Sequence, residues 1–299
     1  MLEFQPLTKE ALQMLHGRFG RDAQGLSDNT FWSVWIWRGY FRLQWALYGD
    51  VLCLASEYPT EKFAAFSLPE GGWSAALLEE LRRLAAQRGV PLCLAPVGTQ
   101  EVQTLAELWP QARAYLCRQW FDYVYDAQAL RTLTGRRLGG QRNHVNRFLR
   151  ENPDWRFETV TPENVGTVQA FFESQAEKKI FAAAAAENES IRALLADPAE
   201  TSRDGLLGGA LFVGDRAVGF AFSEQVGDTL YVHAEKADRA VHGAYPMVVR
   251  QTALAFAGPD SGVRWINRED DAGDEGLRTV KLSYHPVGMT EKYLVRLPE

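Results

Sequence analysis

Short apolar runs, each closed by a glycine or a Gly-Asp pair, alternate along this chain with longer amphipathic stretches. In the second half, residues 209–213, a turn at Gly214-Asp215 and residues 216–222 predict a β-hairpin. Gly227-Asp228 turns the chain into a further strand over 229–235, and a loop holding Gly243 and Pro246 opens a helix that runs to about Ala257. Gly262-Val263 starts a short strand, a helix is expected over 277–285, and 291–296 closes as a strand. The first half repeats this order. Residues 41–47, the turn Gly49-Asp50 and residues 51–54 form a hairpin, and 62–68 is the next strand. Gly71-Gly72 precedes a helix over 74–88, Gly89-Val90 starts a strand over 91–95, and a helix over 101–108 leads into strands through Tyr115 and Tyr123.

Matching landmarks are widely spaced: Gly49 and Gly214 lie 165 residues apart, and Gly89 and Gly262 lie 173 apart. That spacing suits a duplicated domain rather than a short solenoid repeat. A meander of strands, a glycine loop into a helix, then a strand and a further helix is the order of the GNAT (acyl-CoA N-acyltransferase-like) fold. The expected class is therefore α+β: two tandem GNAT-like domains, each a mostly antiparallel sheet flanked by helices. The expected division is 1–125, a basic helical junction over 126–155, and 156–299. In GNAT folds the loop at the helix start holds the pyrophosphate of acyl-CoA with backbone N–H groups. Here that position is 238–246, which makes Arg239, Gly243 and Ala244 the cofactor-binding candidates. It carries one glycine where the GNAT pattern has several, which disfavours a plain acetyl-CoA N-acetyltransferase.

A net charge of −6 over 299 residues argues against DNA binding by the surface as a whole, but leaves room for a local basic patch. One such patch is residues 131–150, with six arginines and no acid. Drawn as a helix, it puts Leu138, Val145, Phe148 and Leu149 on one stripe, with Asn143, Asn146, Arg147 and Arg150 opposite. Two readings stay open: a solvated basic face, or a polyanion-binding surface of Arg142, Asn143, Arg147 and Arg150 for phosphates of tRNA, coenzyme or an anionic lipid. Cys53, Cys93 and Cys117 show no metal-binding spacing and read as buried free thiols. Trp32, Trp35, Trp37 and Trp45 read as core. No segment has about 18 uninterrupted apolar residues, and no secretory leader pattern opens the chain, so a cytoplasmic location is expected.

The densest chemistry lies at 265–286. A short strand runs into Asn267, Glu269 and Asp270, and a helix carrying Arg278, Lys281 and His285 at i, i+3 and i+7 follows. Leu277, Val280 and Tyr284 are expected to face the core. Ligands often bind beyond the carboxyl ends of strands in α/β sheets. Glu269 or Asp270 is the candidate base, with Glu235 as second choice. Asn267, Arg278, Lys281, Tyr284 and His285 are the substrate-binding candidates. His233 reads as a core or supporting residue.

Two blocks together resemble the phosphatidylglycerol lysyltransferase C-terminal-domain family: 121–125 with Gly135-Arg136 and 142–148, and 267–273 with 276–278, 281–286 and Glu291-Lys292-Tyr293. The resemblance covers nearly the whole chain. It implies two tandem GNAT-like domains, as in the peptidoglycan-bridge aminoacyltransferases, and transfer of an aminoacyl group from aminoacyl-tRNA. The best-known members act on a phosphatidylglycerol hydroxyl and carry membrane helices, which this sequence does not show. The expectation is a transferase moving an acyl or aminoacyl group, from aminoacyl-tRNA or acyl-CoA, to an amine or hydroxyl. The acceptor is a small molecule or a lipid head group reached by peripheral membrane contact, and no metal or tightly bound cofactor is expected. The alternative is a noncatalytic double-GNAT protein that binds a nucleotide, tRNA or peptide.

Overall fold

The computed structural model describes residues 2–20, 25–58, 63–175 and 182–297. Its strands are β1 (Gln5–Pro6), β2 (Gln44–Tyr48), β3 (Val51–Tyr58), β4 (Phe63–Ser67), β5 (Cys93–Gly98), β6 (Arg113–Leu116) and β7 (Asp122–Asp126), then β8 (Trp155–Thr159), β9 (Leu207–Val213), β10 (Arg216–Val226), β11 (Thr229–Ala237), β12 (Trp265–Asn267), β13 (Gly288–Thr290) and β14 (Lys292–Arg296). The helices are α1 (Lys9–Met14), α2 (Phe31–Trp37), α3 (Ala75–Gln87), α4 (Thr99–Leu108), α5 (Ala127–Thr132) and α6 (Gly139–Glu151), followed by α7 (Val165–Gln175), α8 (Ala182–Ala196), α9 (Pro198–Arg203), α10 (Ala244–Phe256) and α11 (Glu275–Leu282). Lys62, where the sequence places the start of the fourth strand, lies outside the described residues.

Two seven-stranded sheets follow one plan, β1-β2-β3-β4-β5-β14-β6 and β8-β9-β10-β11-β12-β7-β13. In each, four strands run antiparallel, a parallel strand follows, and a further antiparallel strand joins it. The α+β class and the GNAT-like repeat are therefore present. The division differs from the sequence expectation. One compact unit comprises Met1–Asp122 with Thr290–Glu299, and the other comprises Tyr123–Met289. The final strand, expected to close the second domain, pairs with β5 and β6 of the first. Likewise β7 pairs with β12 of the second. The segment expected as a basic helical junction supplies α5 and α6, which pack in the second unit's core through Leu130, Val145 and Phe148.

In unit 1, α3 buries Leu77, Leu78, Leu81 and Ala85 in a core with Cys53, Phe66, Leu94 and Val97. Ser74 caps the helix by accepting from the Leu77 N–H, so the polar stop and the apolar stripe agree on where it begins. Trp32 and Trp35 are buried as expected, and Trp37 and Trp45 are half-buried. Cys53 and Cys93 are buried free thiols, whereas Cys117 is only half-buried.

In unit 2 the alternation of a strand decides what covers each face. A side chain at Gly219 would place its Cβ 2.6 Å from Val248 of α10. The next residue, Phe220, points the other way and meets Phe171 and Phe172 of α7 edge-on, with ring centres 6.2 and 6.0 Å apart. A helix thus covers each face of β10, and the rest of the chain is free to shape the strand ends.

Candidate functional site

Strands β11 and β12 are parallel and pair from Thr229–Trp265 to Tyr231–Asn267. There β12 ends, while β11 continues to Ala237. The two carboxyl ends therefore separate, and residues 268–274 fill the rim before α11 begins. This is the place in an α/β sheet where ligands bind.

Three titratable groups line up across that opening. His233 of β11 is wholly buried, with its Nε2 2.9 Å from Glu224 Oε1 of β10 and its Nδ1 2.8 Å from Glu269 Oε1. Burial disfavours the imidazolium, but the two carboxylates outweigh it and raise the His233 pKa to about 9. At neutral pH the ring is charged and donates to both acids. The inner one, Glu224, is buried; the Glu269 side chain keeps 18% of its surface exposed at the mouth.

Arg268 donates from Nε (2.9 Å) and Nη2 (2.6 Å) to Glu235 Oε2. Its guanidinium carbon lies 4.8 Å from the Tyr284 ring centre and 5.5 Å from that of Tyr125, a cation held between aromatic faces. Burial opposes this charge, and the carboxylate of Glu235 and the two phenols outweigh burial to hold it. Burial works the other way on the Tyr284 and Tyr125 hydroxyls, pushing their pKa values up.

Asp271, fully buried, accepts two bonds from Arg278 at 2.9 Å, one from the Tyr123 hydroxyl at 2.6 Å, and one from the Gly273 N–H at 2.9 Å. Burial would raise its pKa, but these donors hold it well below the usual carboxylate range. Lys281, 7% exposed, donates to the carbonyls of Arg268 and Asp270. Burial, with the Arg268 charge nearby, pulls its pKa below the ordinary lysine value.

The sequence candidates Asn267, Glu269, Asp270, Arg278 and Lys281 thus gather round one loop, and Glu235 and Tyr284 adjoin it through Arg268. Their roles differ from those expected. Leu277 and Val280 are exposed, at 41% and 49%, while Lys281 is buried, so the helix faces the reverse of its amphipathic reading. The helix also stops at Leu282. His285 lies beyond it with φ 52° and bonds the Arg137 carbonyl through Nε2 at 3.1 Å rather than joining the loop. Asp270 is turned into the loop, where its Oδ1 accepts from the Ala272 N–H at 2.9 Å. Sequence reasoning missed Glu224, Arg268 and Asp271 and gave His233 only a supporting place. The signal was present: a titratable residue inside an apolar strand run, such as Glu224 or His233, is buried only with a partner.

At the glycine loop, Gly243 takes φ 79° at the start of α10. A side chain there would place its Cβ 2.4 Å from the His144 carbonyl oxygen of α6. Only glycine allows this approach, which needs both the left-handed conformation and the missing side chain. The Ala244 N–H bonds the Val241 carbonyl, and Arg239 is exposed. On α6, Arg142 donates to the Leu133 and Gly135 carbonyls, closing the end of α5, and Arg147 pairs with Glu151 at 2.7 Å. Asn143 and Arg150 are exposed. Among the described residues no group of three or more His, Cys, Asp and Glu is arranged to hold a metal, and no helix is long and apolar enough to cross a membrane.

The chain is thus two units of one topology in tandem, one of which gathers acids and cations where its parallel strands separate. The chain belongs to the phosphatidylglycerol lysyltransferase, C-terminal family, which matches residues 21–296. It is similar over 100% of both chains to a conserved protein of unknown function from Bacteroides thetaiotaomicron, at 28% identity and a TM-score of 0.84. The structure of L-PGS from Bacillus licheniformis matches 98% of this chain and 92% of that one, at 13% identity and a TM-score of 0.63, a likeness of fold. An uncharacterized protein of Mycoplasmoides gallisepticum is 22% identical over 181 residues, a match that spans 59% of this chain and 56% of that protein's length.

Proposed function

We propose that the opening in unit 2 transfers an acyl or aminoacyl group to an amine or hydroxyl, with Glu269 as the general base. The observation that carries this reading is the Glu224–His233–Glu269 line. It holds one carboxylate at the mouth of the strand opening, with its position fixed from behind by the buried His233 ring. In the reaction the acceptor nitrogen or oxygen attacks the donor carbonyl and Glu269 takes its proton. The tetrahedral intermediate then collapses, the bond to the donor oxygen or sulfur breaks, and Glu269 returns the proton to that leaving group. No covalent enzyme intermediate is required. Of the other candidate bases, Glu235 pairs with the permanent charge of Arg268 and Asp270 accepts from the loop backbone, whereas Glu269 pairs with a titratable ring, which favours Glu269 among the three.

Aminoacyl-tRNA is the donor this reading favours over acyl-CoA. The start of α10 has a single spaced glycine, and α6 packs onto it at Gly243. The exposed arginines of α6 would lie along the phosphates of the tRNA, with Arg150 the better placed because Arg142 already serves two carbonyls and Arg147 pairs with Glu151. A small-molecule amine or a lipid head group at a membrane surface is the acceptor, and the cytoplasm is the compartment that supplies charged tRNA. A thermal-shift panel with acetyl-CoA, CoA, uncharged tRNA and charged tRNA, followed by transfer of labelled amino acid to amine and hydroxyl acceptors, tests this. Ligands that bind the native state raise the melting temperature by mass action. A shift with tRNA and label in the acceptor support the reading. A shift without transfer to any acceptor leaves the protein a noncatalytic binder. A response to acetyl-CoA alone reverses the donor assignment.

A further inference from the structure

Glu269 sits in a conformation that its own chemistry does not favour. Its φ is 55°, in the left-handed region that L side chains rarely adopt, and it persists only where the surroundings impose it. The surroundings do so from every side. The Glu269 N–H donates to Asn267 Oδ1 at 2.8 Å, and its carbonyl accepts from the Tyr123 N–H at 3.1 Å. The two flanking carbonyls, of Arg268 and Asp270, both accept from Lys281 Nζ.

We propose that Lys281 is a positioning residue: by holding the carbonyls on either side of Glu269, its ammonium keeps that carboxylate against His233 at the mouth of the opening. The proposal rests on reading Glu269 as the base. It replaces the sequence expectation that Lys281 binds an anionic ligand, because the ammonium is buried and turned onto the backbone. Lysine suits the task, since it carries three donors on one atom at the end of a long stem. The helix that brings it is itself fixed, by the Arg278–Asp271 pair and by the Tyr125 hydroxyl, which donates to the Lys281 carbonyl at 2.8 Å.

The test reads His233, so it needs no substrate. The charged groups bonded to the ring are Glu224 from β10 and Glu269 from the loop, and those surrounding Lys281 are Arg268, Asp270 and Glu269 from the loop and Glu235 from β11. Removing the Lys281 cation by itself would raise the His233 pKa, because one like charge is lost. Withdrawing the Glu269 carboxylate would lower it. The sign therefore separates the two effects. In the uniformly 15N-labelled full chain, followed by NMR through a pH titration, Lys281→Met should move His233 downward from about 9 by about one unit or more. In a Glu269→Gln background the same substitution should no longer lower it, the non-additivity of residues that act through one another. An unchanged or raised His233 pKa in folded Lys281→Met overturns the proposal. If that variant does not fold, Lys281→Gln, which loses the charge and shortens the stem, is read in the same way, and an unchanged or raised His233 pKa in it overturns the proposal equally. Absence of transfer by the wild-type chain would sink the functional reading but leave this titration interpretable.

Discussion

In both units a pair of parallel strands separates at the same place in the same strand order, yet the two copies finish that place differently. In unit 1, β5 ends at Gly98 and α4 begins at Thr99, with no residue between. The Gly98 N–H donates to Glu101 Oε2, and Glu101 Oε1 accepts from Trp73 Nε1 at 2.8 Å. The acid there is spent on closing a helix end and seating a tryptophan. In unit 2, β12 ends at Asn267 and α11 begins at Glu275, and the intervening residues 268–274 carry Arg268, Glu269, Asp270 and Asp271. The same architecture thus gives a packed end in one copy and a polar, partly open end in the other. The polar groups gather on the 268–274 connection and the strands facing it, and the repeat alone does not supply them.

The largest effect that should leave this contrast intact lies in unit 1. Lys292, 1% exposed, donates to Asp122 Oδ1 at 2.7 Å and to Ser27 Oγ at 3.1 Å, and it also pairs with Asp28. Lys292→Met leaves these acids uncompensated and should cost about 3 to 5 kcal/mol of unfolding free energy in denaturant titration. Turnover per folded molecule should stay unchanged. Glu101→Gln should cost less, about 1 to 3 kcal/mol, because the amide keeps one acceptor for two donors. It too should spare the chemistry, and a loss of turnover with the fold intact would give unit 1 a role in the reaction.

A smaller effect belongs to unit 2. The folded pKa of His233 is raised to about 9 from 6.5, so the stability it confers is complete below the unfolded value and is lost as pH rises through about 9. Unfolding free energy measured across that window should fall in the wild type and fall much less in His233→Asn. A flat wild-type profile would mean that the ring is neutral throughout and the three groups do not share a charge. The smallest effect is at the surface: Val280→Gln, at a position 49% exposed, should change stability by no more than about 0.5 kcal/mol.

The order of strands and turns was legible along the chain because glycine turns and apolar strand runs are local signals. The cluster at Asn267–Lys281 was legible because acids crowd where a strand hands over to a helix. Three things were not. Local periodicity does not say which strand a strand will join, so the pairing of β14 in the first unit and of β7 in the second left no mark in the pattern. The buried face of α11 was inverted because the helix sits at the rim, where polar needs decide burial. The carbonyls of Arg268 and Asp270 both accept from Lys281, which lies inward, and Leu277 and Val280 are left outside. Likewise, Arg142 read as a free cation because nothing local reveals that the end of α5 needs its guanidinium.

Glu269 carries the proposed chemistry, and the most direct measurement is the rate of aminoacyl transfer by wild type and by Glu269→Gln at saturating donor and acceptor, with the melting temperature of each. A general base predicts a fall in turnover of about 100 to 10,000-fold, donor binding retained and the melting temperature close to that of the wild type. Turnover unchanged in the folded variant would contradict this role and move the base elsewhere.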